Sequence, residues 1–321
     1  MTGPDTANTA HTGGIYRRTG ATAPGGDLWR PHHSHFEGWF WRLTDATSGR
    51  VVIALLSINR AAGGEPWATA AIASHPDGFS TSAALEGAWA APDAIGAAEV
   101  AHATRGTLRL SLPDASIEFE VVDPRGWPLR LGGVGLAGCV PGLTQYWHPW
   151  LLDGQIRGHL IIGGERIALD RATVYAEKNW GPDGFPDKWW WGQAHGFPDP
   201  EIGVAFAGGR AGIGRATVIA GSLVAWTGSG VRRIVRPLRP LSIKVGSDGW
   251  QLRGAGIEIE GHAPATQAYR LPIPLSDERR NLSDAAHQHL AGSLRLKLTR
   301  RGGVVYEGVS ELAGLENGSS T

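Results

Sequence analysis

The apolar residues of this chain fall in short runs, each closed by a turn signal. Val51 to Asn59 is a continuous apolar run. Further runs follow near 67–74, 79–85, 99–104, 106–112 and 115–122, separated by HPDG, APD and LPD. The second half repeats the pattern near 155–163, 165–170, 201–207, 214–226, 231–236, 241–246, 250–254 and 256–261, and ends in a hairpin turned at RRGG. Runs of this length between Gly, Pro and Asp clusters read as strands. A helical pattern is plausible only over Leu275–Ala291, where Ser283 could cap and Gly292 could terminate. Forty-seven glycines, about twice the usual share, point the same way, since helices disfavour glycine. The expected fold is all-β, with few short helices.

With 42% hydrophobic residues, 321 residues suffice for two β domains. Thr-, Gly- and Ala-rich residues 1–24 read as a disordered lead. A first β domain is expected over 25–150 and a second over 151–321. Gly- and Pro-rich Asp123 to Pro149 serves as the crossover between them. Thirty basic residues against thirty acidic ones leave no net charge and no basic stripe, which argues against a nucleic-acid partner. The single Cys139 excludes an internal disulfide and a cysteine-rich metal site. GGVGLAG follows no strand–helix unit, so it is no dinucleotide fingerprint, and no cofactor is expected. Neither a signal peptide nor a membrane-spanning segment is visible, and a cytoplasmic protein is expected.

The chemistry concentrates in Tyr175 to Gln193, YAEKNWGPDGFPDKWWWGQ. Two strands, 172–180 and 188–197, flank the turn signal GPDGFPD, so a long-looped hairpin is expected. Alternation places Tyr175, Glu177 and Asn179 on one face and Lys178 and Trp180 on the other. Trp189, Trp191, Gln193 and His195 share a face opposite Trp190. Glu177, Lys178 and Asn179 could simply satisfy one another inside a barrel. They could also present a carboxyl beside an aromatic wall. Near the start, HHSHFEGWFWRL puts Glu37, Trp39 and Trp41 on one face. His33 and His35 alternate with Glu37, but their spacing is not a specific metal signature. Fourteen tryptophans, mostly clustered, suggest a large apolar or cation-facing cavity.

FEGWFWRL, YWHPW, YAEKNWGPDGFPDKWWWGQ and the terminal ELAGLENG, in that order over about 280 residues, together resemble the tocopherol cyclase family. The resemblance implies two lipocalin-like antiparallel β-barrel or sandwich halves with a deep aromatic pocket. It also implies proton-initiated, redox-neutral ring closure of a prenylated hydroquinone or a related isoprenoid, the work of an isomerase or intramolecular lyase. Related lipocalin-like enzymes hydrate carotenoid double bonds or guide cycloadditions, so an alkene hydratase and a polyene cyclase of the Diels–Alder type stay open, as does a lipid or quinone carrier. The partner is a hydrophobic small molecule, and transient membrane contact to collect it is compatible with the sequence.

Protonating an alkene needs a strong acid in a dry place, and burial keeps a carboxyl protonated. Glu177 is the first candidate, held by Asn179 and Tyr175. Glu37 is the second, and Asp187 at the turn is a weaker one. Lys178 is expected to pair with a buried carboxylate of the other sheet; were that Glu37, Glu37 would stay ionised and Glu177 would be left as the acid. The resulting cation needs aromatic faces. Trp39, Trp41, Trp147, Trp150, Trp180, Trp189 and Trp191, with Gln193, are the candidate lining.

Overall fold

The computed structural model describes residues 28–60, 64–140, 143, 145–181, 185–213, 216–263, 268–273 and 283–319. The expected disordered lead lies outside them, as do residues 275–282 of the expected helix. The first strands are β1 (Phe36–Asp45), β2 (Arg50–Asn59), β3 (Trp67–His75), β4 (Phe79–Leu85), β5 (Ala88–Ala90) and β6 (Ala94–Ala97). Next come β7 (Ala101–Thr104), β8 (Thr107–Leu112), β9 (Ala115–Gly126), β10 (Tyr146–Ile162), β11 (Glu165–Ala168) and β12 (Thr173–Gly181). These twelve form one antiparallel sheet in the order β4-β3-β2-β1-β12-β10-β9-β8-β7-β6-β5, with β11 on β10. The sheet is nearly closed: Ala88 N–H bonds to Pro66 C=O, joining the β5 and β3 ends.

The second sheet has ten strands: β13 (Lys188–Ala194), β14 (Gly203–Ile213), β15 (Ala216–Thr227), β16 (Gly230–Arg236), β17 (Ser242–Val245), β18 (Gly249–Gly254), β19 (Ile257–His262), β20 (Tyr269–Ile273), β21 (Ser283–Arg300) and β22 (Gly303–Ser319). Their order is β16-β15-β14-β13-β22-β21-β19-β18-β17, with β20 on β21. A short 3-10 helix, Gly135–Cys139, is the only helix among the described residues. The fold is all-β, as the turn-punctuated sequence implies, in two lipocalin-like halves, as the family resemblance implies.

Three local expectations are corrected. β12 and β13 are not a hairpin: β12 pairs with β1 and β10, and β13 with β14 and β22. The GPDGFPD segment carries the chain from one sheet to the other, a task that uses the same turn residues. The boundary expected at 150 falls inside β10, so the sheets divide the chain between 181 and 188. Residues 127–145 therefore connect two strands of one sheet. They nevertheless strap the halves together, because Arg233 donates to Leu131 and Gly132 C=O and Ser222 Oγ donates to Gly133 C=O. Finally, Ser283 to Ala291 is strand. Its backbone pairs with β22, and that ladder overrides a locally helix-tolerant sequence.

Each half has its own core. Trp39, Trp41, Leu43, Leu56, Ile58, Trp150 and Ile156 fill the first. Phe206, Leu223, Trp250, Leu252, Leu294 and Leu315 fill the second. Between them lies a seam with separate aromatic clusters, one built on Trp147, Tyr175, Trp191 and Trp226 and another on Trp189 and Leu290.

Candidate active site at the seam between the sheets

Alternation gives β1 and β12 two unlike faces. Toward the first core point Glu37, Trp39 and Trp41 with Lys178 and Trp180. Toward the seam point Phe36, Phe40 and Arg42 with Tyr175, Glu177 and Asn179. The register pairs Glu37 with Trp180 and Phe40 with Glu177, so the two glutamates lie on adjacent strands but on opposite sides of the sheet.

The core-side carboxyl is neutralised. Lys178 Nζ donates to Glu37 Oε2 at 2.7 Å, and Arg60 Nη1 donates to Oε1 at 2.6 Å. Lys178 thus pairs within its own sheet, not with the other one, because the adjacent strand brings Glu37 onto its face. The ammonium also donates to Arg30 C=O at 2.7 Å and lies 4.3 Å from the Trp39 ring centroid. His32 Nδ1 sits 2.8 Å from Nζ. Burial and the adjacent ammonium push the His32 pKa down to about 4, so its neutral ring accepts that bond. Its ring stacks on Trp180 at 4.2 Å. Burial pushes the Glu37 carboxyl up, but Lys178, His32 and Arg60 outweigh it and hold Glu37 well below the carboxylate range.

Among the described residues no cation pairs with the seam-side carboxyl. Trp147 Nε1 donates to Glu177 Oε2 at 2.8 Å, Tyr175 OH at 2.7 Å and Trp191 Nε1 at 2.7 Å. Asn179 Nδ2 donates to Oε1 at 3.0 Å. Burial raises the Glu177 pKa, and the four donors oppose it without cancelling it. Indole N–H groups can only donate, and Tyr175, held well above its usual pKa by burial and Glu177, stays protonated. The cage therefore combines a dry carboxyl with a prepared conjugate base.

Glu177 and Asn179 line a cavity of about 370 Å3 between the sheets. Phe36, Phe40, Leu55, Trp147, Trp189 and Trp191 supply apolar wall. Leu136, Val140 and Leu238 also line it and are exposed, forming an apolar rim. Trp39 touches the cavity from the β1 side. Trp41, Trp150, Trp180 and Gln193 do not line it. Trp41 and Trp150 belong to the first core, and Trp180 packs with His32 and Tyr146 on the far face of β12. Gln193 accepts from Arg42 Nη1 at 2.9 Å. Asp187 is exposed beyond the wall.

Two residues absent from the sequence reading belong to this cavity: Glu316 and Gln288. Trp189 Nε1 donates to Glu316 Oε1 at 2.5 Å. Burial and the nearby Glu177 push the Glu316 pKa up to about 7. Gln288 stands opposite Glu316 in the β21–β22 register. The only sequence signal for Glu316 is the ELAGLENG segment, which says nothing of which strand β22 joins. Arg42 was also missed. Fully buried and without a carboxylate, its guanidinium donates to Thr44, Gln193 and the Leu290 and Leu312 carbonyls. Burial lowers its pKa to about 9, so it remains charged at neutral pH. It ties β1 to three strands of the other sheet. A side chain at Gly314 would meet Arg42 Nε at 2.7 Å, which accounts for glycine there. Among the described residues no group of three His, Cys, Asp or Glu side chains could hold a metal.

Two facing β halves with a caged carboxyl in an aromatic seam define the class of protein, and sequence comparison supplies the family. The chain belongs to the tocopherol cyclase-like family, whose model matches residues 135–319. That span holds Trp147, Glu177, Trp191 and Glu316 but not β1. The chain is 29% identical to the chloroplastic tocopherol cyclase of Zea mays over 215 residues, 59% of this chain and 42% of the maize protein. A probable tocopherol cyclase of Oryza sativa subsp. japonica is 35% identical over 82 residues, 25% of this chain and 17% of the rice protein. The matches thus span less than half of either plant protein. In structure, the chain is similar to an AttH-type protein of Nitrosomonas europaea, with TM-score 0.57, 13% identity, and coverage of 94% and 99% of the two chains. It is also similar to kievitone hydratase of Nectria haematococca, with TM-score 0.54, 11% identity, and coverage of 88% and 89%. CghA bound to Sch210972 gives TM-score 0.55, 11% identity, and coverage of 88% of both chains. These likenesses establish the shared fold.

Proposed function

We propose that this protein is a cyclase that closes a prenylated hydroquinone, or a related isoprenoid phenol, to a chroman-type product without redox chemistry. The observation that carries the reading is Glu177: a buried carboxyl with four donors and no cation, facing an aromatic-walled cavity. Family membership and the plant cyclases support the same reaction class.

Three donors converge on Oε2, so the transferable proton sits on Oε1, where Asn179 is the one hydrogen-bond partner among the described residues. Transfer of that proton to one alkene carbon leaves a tertiary cation on the other. Trp147, Trp189 and Trp191 stabilise it without attacking, by about 0.5–2 kcal/mol per well-placed ring. The four donors stabilise the carboxylate left behind, which strengthens the acid during transfer. The phenolic oxygen then bonds to the cation and releases its proton, so substrate and product have equal mass. Water kept from the cation prevents formation of the alcohol. The apolar rim of Leu136, Val140 and Leu238 suits entry of a greasy tail, collected in transient contact with a membrane.

Incubating the protein with a geranyl hydroquinone, without cofactor, should give a product of unchanged mass and shifted retention in mass spectrometry. Glu177→Gln should stay folded and lose at least about 10³-fold in turnover. A gain of one water in the product would replace cyclisation by hydration. Full activity in a folded Glu177→Gln protein would remove Glu177 from the role.

A further inference from the structure

Ring closure leaves one proton unaccounted for: the phenolic one, which must leave as the C–O bond forms. A second carboxyl stands in the same cavity. Glu316 lies on the seam face of β22, directly opposite Trp191 of β13 and Gln288 of β21. Of its two oxygens, Oε1 is occupied by Trp189 Nε1. Beside it, Gln288 is 1% exposed, lines the cavity, and has a buried side-chain oxygen without any hydrogen-bond partner. A buried amide acceptor left empty costs about 1–3 kcal/mol, which is tolerable where a ligand donor fills it. Acceptors on two neighbouring strands, in a largely apolar wall, make a place for a hydroxyl.

We propose that Glu316 and Gln288 form the head-group end of the cavity, where Gln288 accepts a hydrogen bond from a substrate hydroxyl and Glu316 takes up the phenolic proton as the ring closes. This rests on the cyclase reading above. The balance is simple. Glu177 loses a proton to the alkene carbon, the phenolic O–H bond breaks as the C–O bond forms, and Glu316 gains the phenolic proton. Moving one proton from Glu316 back to Glu177 through solvent resets the pair.

The groups facing Glu316 are Glu177 from β12, Trp189 from β13 and Gln288 from β21. Arg236 also lines the cavity and donates to Leu241 C=O, and Arg42 at the seam spends its donors on Thr44, Gln193, Leu290 and Leu312. Two like charges in one dry cavity disfavour double ionisation, so the pair holds one proton between them, and the reaction draws on the form in which Glu177 carries it.

Two measurements test this. In the first, the pH profile of turnover should be bell-shaped in the wild type, with an acid limb where Glu316 becomes protonated. Glu316→Gln should lower kcat roughly 10²–10⁴-fold and abolish the acid limb while leaving the alkaline one. An unchanged profile overturns the role of Glu316. In the second, methylhydroquinone and its dimethyl ether are titrated anaerobically against tryptophan fluorescence. The wild type should prefer the hydroquinone roughly tenfold, the worth of about one hydrogen bond. Gln288→Leu, which leaves Glu316 in place, should lose that preference. A preference kept in Gln288→Leu, or absent from the wild type, overturns the head-group site. The fluorescence test needs no turnover. Binding preference without ring closure would therefore sink the cyclase reading and spare the site, whereas ring closure indifferent to Glu316→Gln would do the reverse.

Discussion

Two glutamates are buried on opposite faces of the same strand pair, and they are in opposite states. Glu37 looks into the first barrel and meets an ammonium and a guanidinium. Glu177 looks into the seam and meets two indoles, a phenol and an amide. Both are nearly inaccessible to water, so depth alone does not separate the ion-paired carboxylate from the proposed acid. The partner set does: cations fix the charge permanently, whereas neutral donors stabilise it only enough to let it form and vanish again. The seam has room for chemistry because its polar groups are not paired off by charge.

Removing the cation from the core side should break the comparison most severely. Lys178→Met leaves a buried carboxylate with Arg60 as its remaining cation and the His32 backbone N–H as a donor, and should cost about 3–5 kcal/mol in chemical denaturation. Adding Glu37→Leu should restore much of that loss, since deleting both partners of a buried pair removes the stranded charge. Glu177→Gln, one residue away, should leave the denaturation midpoint close to the wild type. If Lys178→Met were as stable as the wild type, the core-side ion pair would not be the structural element described here.

A subtler change concerns the donors. Trp191→Phe keeps a ring in the wall and removes one N–H from Glu177 Oε2. A hydrogen bond to a charged group is worth about 1.5–3 kcal/mol, so turnover should fall roughly 10- to 100-fold. Trp180→Phe, on the far face of β12, should alter kcat by no more than about twofold, although it disturbs the stack on His32.

The smallest expected effect is on the pH dependence of stability. Glu316 has a folded pKa of about 7, above the usual value of 4.5. Its neutral form is the favoured one, so its contribution is full below about pH 4.5 and is lost as pH rises to 7. Glu37, held low, works the other way and loses its contribution as pH falls below 4.5. Glu316→Gln should flatten the decline in Tm between pH 4.5 and 7 while leaving the acid-side loss intact. Parallel Tm profiles for the two proteins would refute the assignment.

The sequence made the faces readable but not the partners. Alternation alone sorted Glu177 with Tyr175 and Asn179, and placed Trp189, Trp191 and Gln193 together, because strand geometry is local. It could not show that the turn after Gly181 leads into a different sheet. The aromatic wall thus meets Glu177 across a seam between sheets rather than across a hairpin. The same limit hid Glu316 and Gln288, which reach the cavity through β21 and β22, over a hundred residues along the chain. Trp41, Trp150 and Trp180 looked like cavity residues because tryptophan clusters in both places; only the direction of each strand in three dimensions tells core from wall. The strand reading of Ser283–Ala291 likewise needed the β22 ladder, which no local propensity contains.

The connection between Gly181 and Lys188 has a consequence for how the site comes into being. Among the described residues it is the single covalent passage from one sheet to the other. The donors of Glu177 are split by it: Trp147, Tyr175 and Asn179 come before, Trp191 after. Either half alone would carry an incomplete cage and one wall of a cavity. Docking of the halves, clasped by Arg42, is therefore what completes the cage that the proposed acid depends on. On the proposed reading, a nascent or cleaved chain would lack the assembled acid until its two parts had met.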